Sequence, residues 1–427
     1  MASFEPQNRN YSEWTFKGDY VDSKAFDPVR NKMLVGDTIK MDSIERTSKY
    51  RVTKSIPGVL VYNGKTYGRH SGKMLYKCVP NDRRLPVFLI PYASKKTTFN
   101  KSKTNKFVLF QFVEWTGKHP LGMITNNLGE VNDISVFYSY QLFCKDIHIP
   151  IQRFTKAAKL AVNRKQTIPE WMNNMEDRTS LECITIDPGG SVDFDDALGI
   201  VEKADGGHII SVYISNVVAW LDSLCLWEHL TDRVATIYLP DSKRPLLPTI
   251  LSDDLCSLVE GKQRYAVVMD VSLTPDNSIE SVDFTNCVIK VAKNYVYEEK
   301  DLLENPQYKV ICSIARVLSL ETRYVETIED SHDVVAFYMI MMNHRVGTLL
   351  LNTGRGIFRG VSTINKEERV GVPQEIKRVV TLWRNTKGDY ETSEKHKGHD
   401  LIGSGLDAYA QVTSPIRRVV DLVNIIE

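Results

Sequence analysis

The seven cysteines of this chain, Cys78, Cys144, Cys183, Cys225, Cys256, Cys287 and Cys312, stand singly, without a C-x-x-C pair among them. An odd, scattered set argues against a disulfide framework or a paired-cysteine zinc site and points to a reducing compartment, the cytoplasm or the nucleus. Long apolar runs are also missing. The most apolar stretch, Val334–Met342, ends after nine residues at Asn343, His344 and Arg345. A bilayer span needs about 20, so a soluble protein without a membrane partner is expected. The opening MASFEPQNRNYSEW has no basic segment followed by an apolar one, and no secretory leader is expected. Internal repeats and low-complexity tracts are absent as well, which excludes solenoid and linker-type architectures.

What is present is an ordinary globular composition, 42% hydrophobic and 25% charged over 427 residues, enough for two or three domains. The net charge of +1 conceals an asymmetry. Residues 1–170 carry 28 Lys and Arg against 14 Asp and Glu, and residues 171–427 carry 26 against 39, so the parts differ as +14 and −13. Such a division suits a polyanion held by the first part and processed by the second, or else an uneven spread of solvated surface charge.

The basic part reads as β-rich. MLVGDTIKM, GVLVYNG, LPVFLIPY, NKFVLFQFVEW and ISVFYSYQLF are short apolar or alternating runs separated by turn-forming residues. Small barrels of the five-stranded OB type are expected, with a sandwich as the alternative. The lysine-rich SKKTTFNKSKTNKF, Ser94–Phe107, includes Lys101 and Lys103 and is read either as a nucleic-acid contact or as a solvated hairpin tip. Helical spacing in IQRFTKAAKLAVNR, ended by Pro169, marks a linker helix within 151–170. Strand-like runs (CITID, ALGIV, HIISVYISNVVAWL, YAVVMDVSL) and then helical ones (YKVICSIARVLSLETR, DVVAFYMIMMNHRVGTLLL, QEIKRVVTLWRN) follow, and they predict one α+β domain over 171–427.

The chemistry concentrates in TIDPGGSVDFDDALGI, which places Asp187, Asp193, Asp195 and Asp196 within ten residues. The apolar run before Asp187 predicts a strand and PGGS a turn that folds Asp187 back toward the others. Two carboxylates about 4 Å apart repel by roughly 4 kcal/mol at an effective dielectric near 20, so convergence requires protons or cations, and hard divalent ions are the economical solution. Mg²⁺ suits carboxylate oxygen and retains waters that phosphate oxygens can replace, and a pair of such ions suits in-line displacement at phosphorus. An EF-hand loop is excluded, since no register supplies Gly at its sixth position together with Glu at its twelfth. Helix capping would explain one or two of these aspartates rather than four.

These residues resemble a known family. T-I-D-P-x-x-x-x-D-x-D-D-A is similar to the signature of the ribonuclease II/R (RNB) family, IYLPDSKRPLLPTILSDDLCSL (Ile237–Leu258) resembles a second family segment, and YAQVTSPIRRVVDL (Tyr409–Leu422) resembles its closing motif. MLYKCVPNDRRLPVFLIPY and HPLGMITNNLGEVND look like a cold-shock OB domain of the same family, placed at 71–150, while 1–70 resembles a further one weakly. The resemblance implies a processive, hydrolytic 3′–5′ exoribonuclease that releases nucleoside 5′-monophosphates from single-stranded RNA with Mg²⁺, two ions being expected and Mn²⁺ a substitute. It implies Asp187, Asp193, Asp195 and Asp196 as metal and catalytic carboxylates and Arg417 on the scissile phosphate. Tyr238 and Tyr297 would be nucleotide-contacting aromatics, Tyr297 equally a core residue, and Arg418 a further RNA contact or a structural neighbour. It implies a monomer, with association with an RNA-decay complex as a further expectation.

Several positions depart from the family pattern: Phe337 where Glu is common, Gln411 for His, Val419 for an aromatic and Asn216 for Asp. The closing motif is followed by few residues, so weaker grip on RNA is expected if Glu427 is the natural end. An RNA-binding protein of the same fold without turnover is the competing reading. A metal-dependent phosphatase for small molecules conflicts with the basic β-rich part.

Overall fold

The computed structural model describes residues 1–19, 27–41, 43–93, 103–164, 168–360, 388–399 and 405–427. The chain divides into two bodies, residues 1–148 with 239–241, and residues 149–238 with 242–427.

In the first body, β1 (Ala2–Pro6), β2 (Trp14–Gly18), β3 (Thr38–Lys40) and β4 (Ser43–Glu45) form an antiparallel sheet in the order β2-β1-β3-β4. A second sheet holds β5 (Ile56–Leu60), β6 (Thr66–His70), β7 (Lys73–Pro80), β8 (Phe88–Tyr92), β9 (Lys106–Glu114) and β10 (Leu121–Glu130). Because β5 pairs with both β9 and β7, the order β5-β9-β10-β8-β7 returns on itself and makes a closed five-stranded barrel, the expected OB architecture. Strand β6 pairs with β7 alone.

Two expectations are corrected here. The division at residue 70 falls inside the barrel sheet, and one apolar core joins Phe4, Met33 and Leu34 to Ile56, Phe88 and Phe110. The first 70 residues therefore do not form a separate module. ISVFYSYQLF is not a strand but helix α1 (Ile134–Cys144). Asp133 accepts the N–H groups of Ser135 and Val136 and caps it, and Tyr140 stacks on Phe107 at 4.3 Å, so capping and packing override the β preference of its aromatic and branched residues.

The second body is the expected α+β domain. The linker segment forms α2 (Gln152–Val162), whose buried Phe154 and Ala158 belong to a core shared with the 217–256 region. A seven-stranded sheet follows, built from β11 (Glu176–Arg178), β12 (Cys183–Asp187), β13 (Asp196–Glu202), β14 (His208–Ser215), β17 (Gln263–Leu273), β18 (Ile279–Lys290) and β19 (Lys293–Val296) in the order β11-β18-β17-β14-β13-β12-β19. The end of HIISVYISNVVAWL leaves the sheet as α3 (Val217–Ser223), capped by Asn216, which accepts Ala219 N–H at 3.0 Å. Strands β15 (Ile237–Tyr238) and β16 (Lys243–Arg244) form a separate hairpin.

Helices α4 (Lys300–Glu304), α5 (Pro306–Glu321) and α6 (Ser331–Thr353) contribute to the largest core. By length and composition α6 passes for a membrane span, yet Phe337, Met341 and Leu350 are buried in that core. A hairpin of β20 (Ile357–Gly360) and β21 (Asp389–Thr392) and the short α7 (Val419–Ile426) complete the described part. The helix expected in QEIKRVVTLWRN lies outside the described residues.

Candidate active site

The aspartate cluster occupies the connection between two neighbouring strands. β12 ends on Asp187 and β13 begins on Asp196. Between them the expected turn forms, with Gly190 at φ +84° and Ser191 N–H donating to the Pro188 carbonyl at 3.1 Å. The rest of the loop is pinned by neighbouring chain. Ser257 Oγ donates to the Val192 carbonyl (2.8 Å) and accepts Phe194 N–H (3.0 Å), and Ser215 N–H donates to the Asp195 carbonyl (2.8 Å). Such anchoring fixes where the carboxylates point without any help from a ligand.

Asp195 is 3% exposed; its Oδ1 accepts Ile416 N–H at 2.9 Å and its Oδ2 lies 3.3 Å from Arg417 Nε. Burial pushes this carboxyl up to about 7, against the opposing pull of Arg417 and the Ile416 N–H. Burial also raises Asp187, to about 6, and raises Asp196 well above the ordinary range, with the charges of Asp187 and Asp195 adding to the effect on Asp196. Asp193 is engaged differently. Its Oδ1 lies 3.0 Å from Lys243 Nζ, which is also 3.0 Å from Asp253 Oδ1.

The closing motif reaches this loop through its backbone. Thr236 N–H donates to the Arg417 carbonyl and Val419 N–H to the Val234 carbonyl, so the 234–236 segment and SPIRR run together. Arg417, 45% exposed at its side chain, also donates from Nη2 to Ser414 Oγ at 2.9 Å. Tyr238 is 58% exposed and interacts electrostatically with Arg417, Asp193 and Asp195. Tyr297 N–H donates to the Asp187 carbonyl, and its ring stacks on His332 at 3.5 Å. Burial and the charges of Asp196 and Asp187 raise its phenol.

Arg418 turns instead to the fully buried Asp421, with Nη2 2.7 Å from Oδ1. In the first body, Lys103 Nζ lies 5.5 Å from the Tyr62 ring centroid and 5.8 Å from that of Tyr76. Lys101 lies outside the described residues.

Four contributors were not found by sequence reasoning. Lys243 and Asp253 belong to the Ile237–Leu258 segment but bore no mark of pairing with Asp193. Asn343, taken only as part of an apolar helix, accepts Val412 N–H at 2.8 Å and donates to Tyr409 OH and Thr413 Oγ1, holding the segment that leads into SPIRR. Gly347, one helical turn on, lets that segment approach: a Cβ there would stand 2.9 Å from the backbone nitrogens of Tyr409 and Ala410.

Phe337 is fully buried, edge-on to Tyr324 at 5.4 Å, so the departure at this position places an apolar ring in the core. Gln411 accepts from Tyr390 OH at 2.7 Å, and Asn216 is the helix cap described above.

Among the described residues, no three His, Cys, Asp or Glu side chains converge closely enough to hold a metal ion. The four aspartates therefore do not form a single cage: Asp193 is taken by Lys243, and Asp195 by Arg417 and Ile416. Asp187 and Asp196 are the pair left to a cation. Asp187 Oδ2 is buried without a hydrogen-bond partner, and an anionic oxygen so placed calls for a counter-charge. Mg²⁺ fits such a place, because it is commonly held by one or two carboxylates with water and phosphate oxygens filling its remaining positions.

Comparison with known proteins agrees with the architecture. Residues 175–321 match the RNB domain family and residues 75–138 the Dis3-like cold-shock domain 2 family. Ribonuclease R of Thermotoga maritima is 26% identical over 238 residues, covering 53% of this chain and 32% of its own. Exoribonuclease 2 of Cronobacter sakazakii is 38% identical over 133 residues, 30% of this chain and 20% of its own. The chain thus spans less than half the length of the curated relatives it matches.

Among solved structures, apo RNase R of Mycoplasma genitalium superposes with a TM-score of 0.67 at 18% identity, over 91% of this chain and 72% of that one. Yeast Ssd1, a pseudonuclease, gives 0.61 at 15% identity, over 87% and 54%. The fold is that of these proteins, and the resemblance drawn from the three motifs is borne out.

Proposed function

We propose that this chain, a divergent member of the RNB family with a Dis3-like cold-shock domain ahead of its RNB domain, is a hydrolytic exoribonuclease that shortens single-stranded RNA processively from the 3′ end to nucleoside 5′-monophosphates. One observation carries the reading: the Arg417 guanidinium rests on Asp195 beside Asp187, whose buried Oδ2 lacks a partner. Mg²⁺ held through Asp187 and Asp196 would polarise the phosphate and acidify its bound water.

The chain's own groups do the positioning. Asp195, anchored by Ile416 N–H, holds Arg417 by Nε while Ser414 holds Nη2, so a half-exposed cation is kept ready for non-bridging phosphate oxygens. Tyr238 offers an exposed ring for stacking on the terminal nucleotide. In the first body, Lys103 lies over the ring of the partly buried Tyr62, a cation beside an aromatic ring as on single-strand surfaces, which supports RNA binding by this body.

A second reading, RNA binding without turnover, draws on the fold shared with a pseudonuclease and on the lack of a three-ligand metal group among the described residues. The two part in one assay, 5′-labelled single-stranded RNA with Mg²⁺. The exonuclease reading expects a ladder of shortening products that stops at least 100-fold in Asp195→Asn while RNA affinity persists. Intact RNA after incubation with the unaltered protein favours the binding reading, and a DNA oligonucleotide run alongside measures the contribution of the 2′-hydroxyl.

A further inference from the structure

Lys243 is a charged participant at the aspartate loop that neither the motif reading nor the proposed reaction uses. It lies on β16, opposite Tyr238 in the β15–β16 hairpin, so the strand pair that presents the stacking ring also delivers an ammonium group. Its Nζ sits 3.0 Å from Asp193 Oδ1 and 3.0 Å from Asp253 Oδ1, with the three side chains only 15–28% exposed. Ser252 Oγ donates to the same Asp253 oxygen at 2.6 Å and fixes that carboxylate. A cation bridging two oxygens from different chain segments occupies the place that a divalent ion would need in order to use Asp193 as a ligand.

We infer that the Lys243 ammonium serves as a built-in cation at Asp193, so that this chain takes one divalent ion, at Asp187 and Asp196, rather than two. The inference rests on the exonuclease reading above for the identity of the remaining site. Charge supports it. Five carboxylates (Asp187, Asp193, Asp195, Asp196, Asp253) stand with two cationic side chains (Lys243, Arg417), a formal excess of three negative charges. One divalent ion leaves that excess at one; a second reverses its sign and must also break both contacts of a largely buried lysine. With a neutral side chain at 243 the excess grows to four, which two divalent ions cancel. Lys243 acts through Asp193 and is a positioning residue, not a catalytic one.

The test counts ions directly. Metal-stripped full chain is titrated with Mn²⁺, and bound ion is followed by loss of the free Mn²⁺ electron paramagnetic resonance signal, with circular dichroism confirming that each variant is folded. Expected are one Mn²⁺ per chain for the unaltered protein, two for Lys243→Met, and one for Lys243→Arg, which restores the cation. Asp193→Asn, which does not depend on Lys243→Met folding, is expected to keep one, and Asp187→Asn to lose it.

Two ions in the unaltered protein, a count of one in folded Lys243→Met, or loss of the ion in Asp193→Asn each overturns the inference. RNA shortening by a protein that binds two ions sinks this inference alone. A protein that neither binds Mn²⁺ nor shortens RNA sinks the exonuclease reading and this inference with it.

Discussion

The two adjacent arginines of SPIRR have opposite fates, and single substitutions should separate them. Arg417 faces the carboxylates, whereas Arg418 holds Asp421, whose Oδ1 also accepts Ser414 N–H at 2.8 Å. Arg417→Lys keeps the charge but loses the planar fork. A single-turnover rate about 10²–10³-fold lower is expected, with RNA affinity within about threefold. Arg418→Met is expected to cost about 3 kcal/mol in urea unfolding, because a buried carboxylate loses its partner. At this scale the sequence offered the candidate residues, since the four aspartates fall within ten residues and SPIRR is one short run. Their partners come from remote segments and carry no local mark: Lys243 and Asp253 lie 50 and 60 residues from Asp193, and Asn343 sits among methionines.

Among the elements, the strands of the second body were legible because their apolar runs have strand length and end on turn residues. Helix α1 was not, because Val, Phe and Tyr dominate it and its cap, Asp133, also suits a turn. Asp133→Ala is expected to lower stability by about 1 kcal/mol, read as a shift in the urea midpoint. In α6, Gly347→Ala pushes a methyl into the 409–410 backbone; a loss of about 1–3 kcal/mol is expected together with slower RNA shortening, since that segment leads into SPIRR.

Acid should act on the turn after β7. Burial raises the Asp82 carboxyl, but bonds from Arg84 and from Tyr50 OH outweigh it and leave the group below its ordinary value. Its stabilisation is therefore complete above the unfolded carboxylate pKa near 3.9 and disappears as pH falls through the lower folded value. Urea midpoints measured from pH 7 down to about pH 2 should decline in that window, and Asp82→Asn should flatten the decline.

For the whole molecule, the charge division at residue 170 was visible by counting, and the junction read from the helical spacing after Pro150 lies two residues from the division between the bodies, but the single core of the first body was not visible. That core depends on pairings such as β5 with β9, about 50 residues apart, which no local pattern announces. If the basic body grips RNA, its affinity should fall with salt on a log–log line, and Lys103→Ala should reduce the slope by about 0.7, the amount expected for one lost phosphate contact on a single strand. An unchanged slope would take Lys103 out of the contact surface.

Strand β6 has a practical consequence for anyone handling this protein. All five of its residues are exposed, and the barrel closes through β5 and β7 without it. The Thr66–His70 flap is therefore the natural splice point for an epitope, a fluorophore or an affinity handle, because cargo inserted there leaves the closed ring of hydrogen bonds intact.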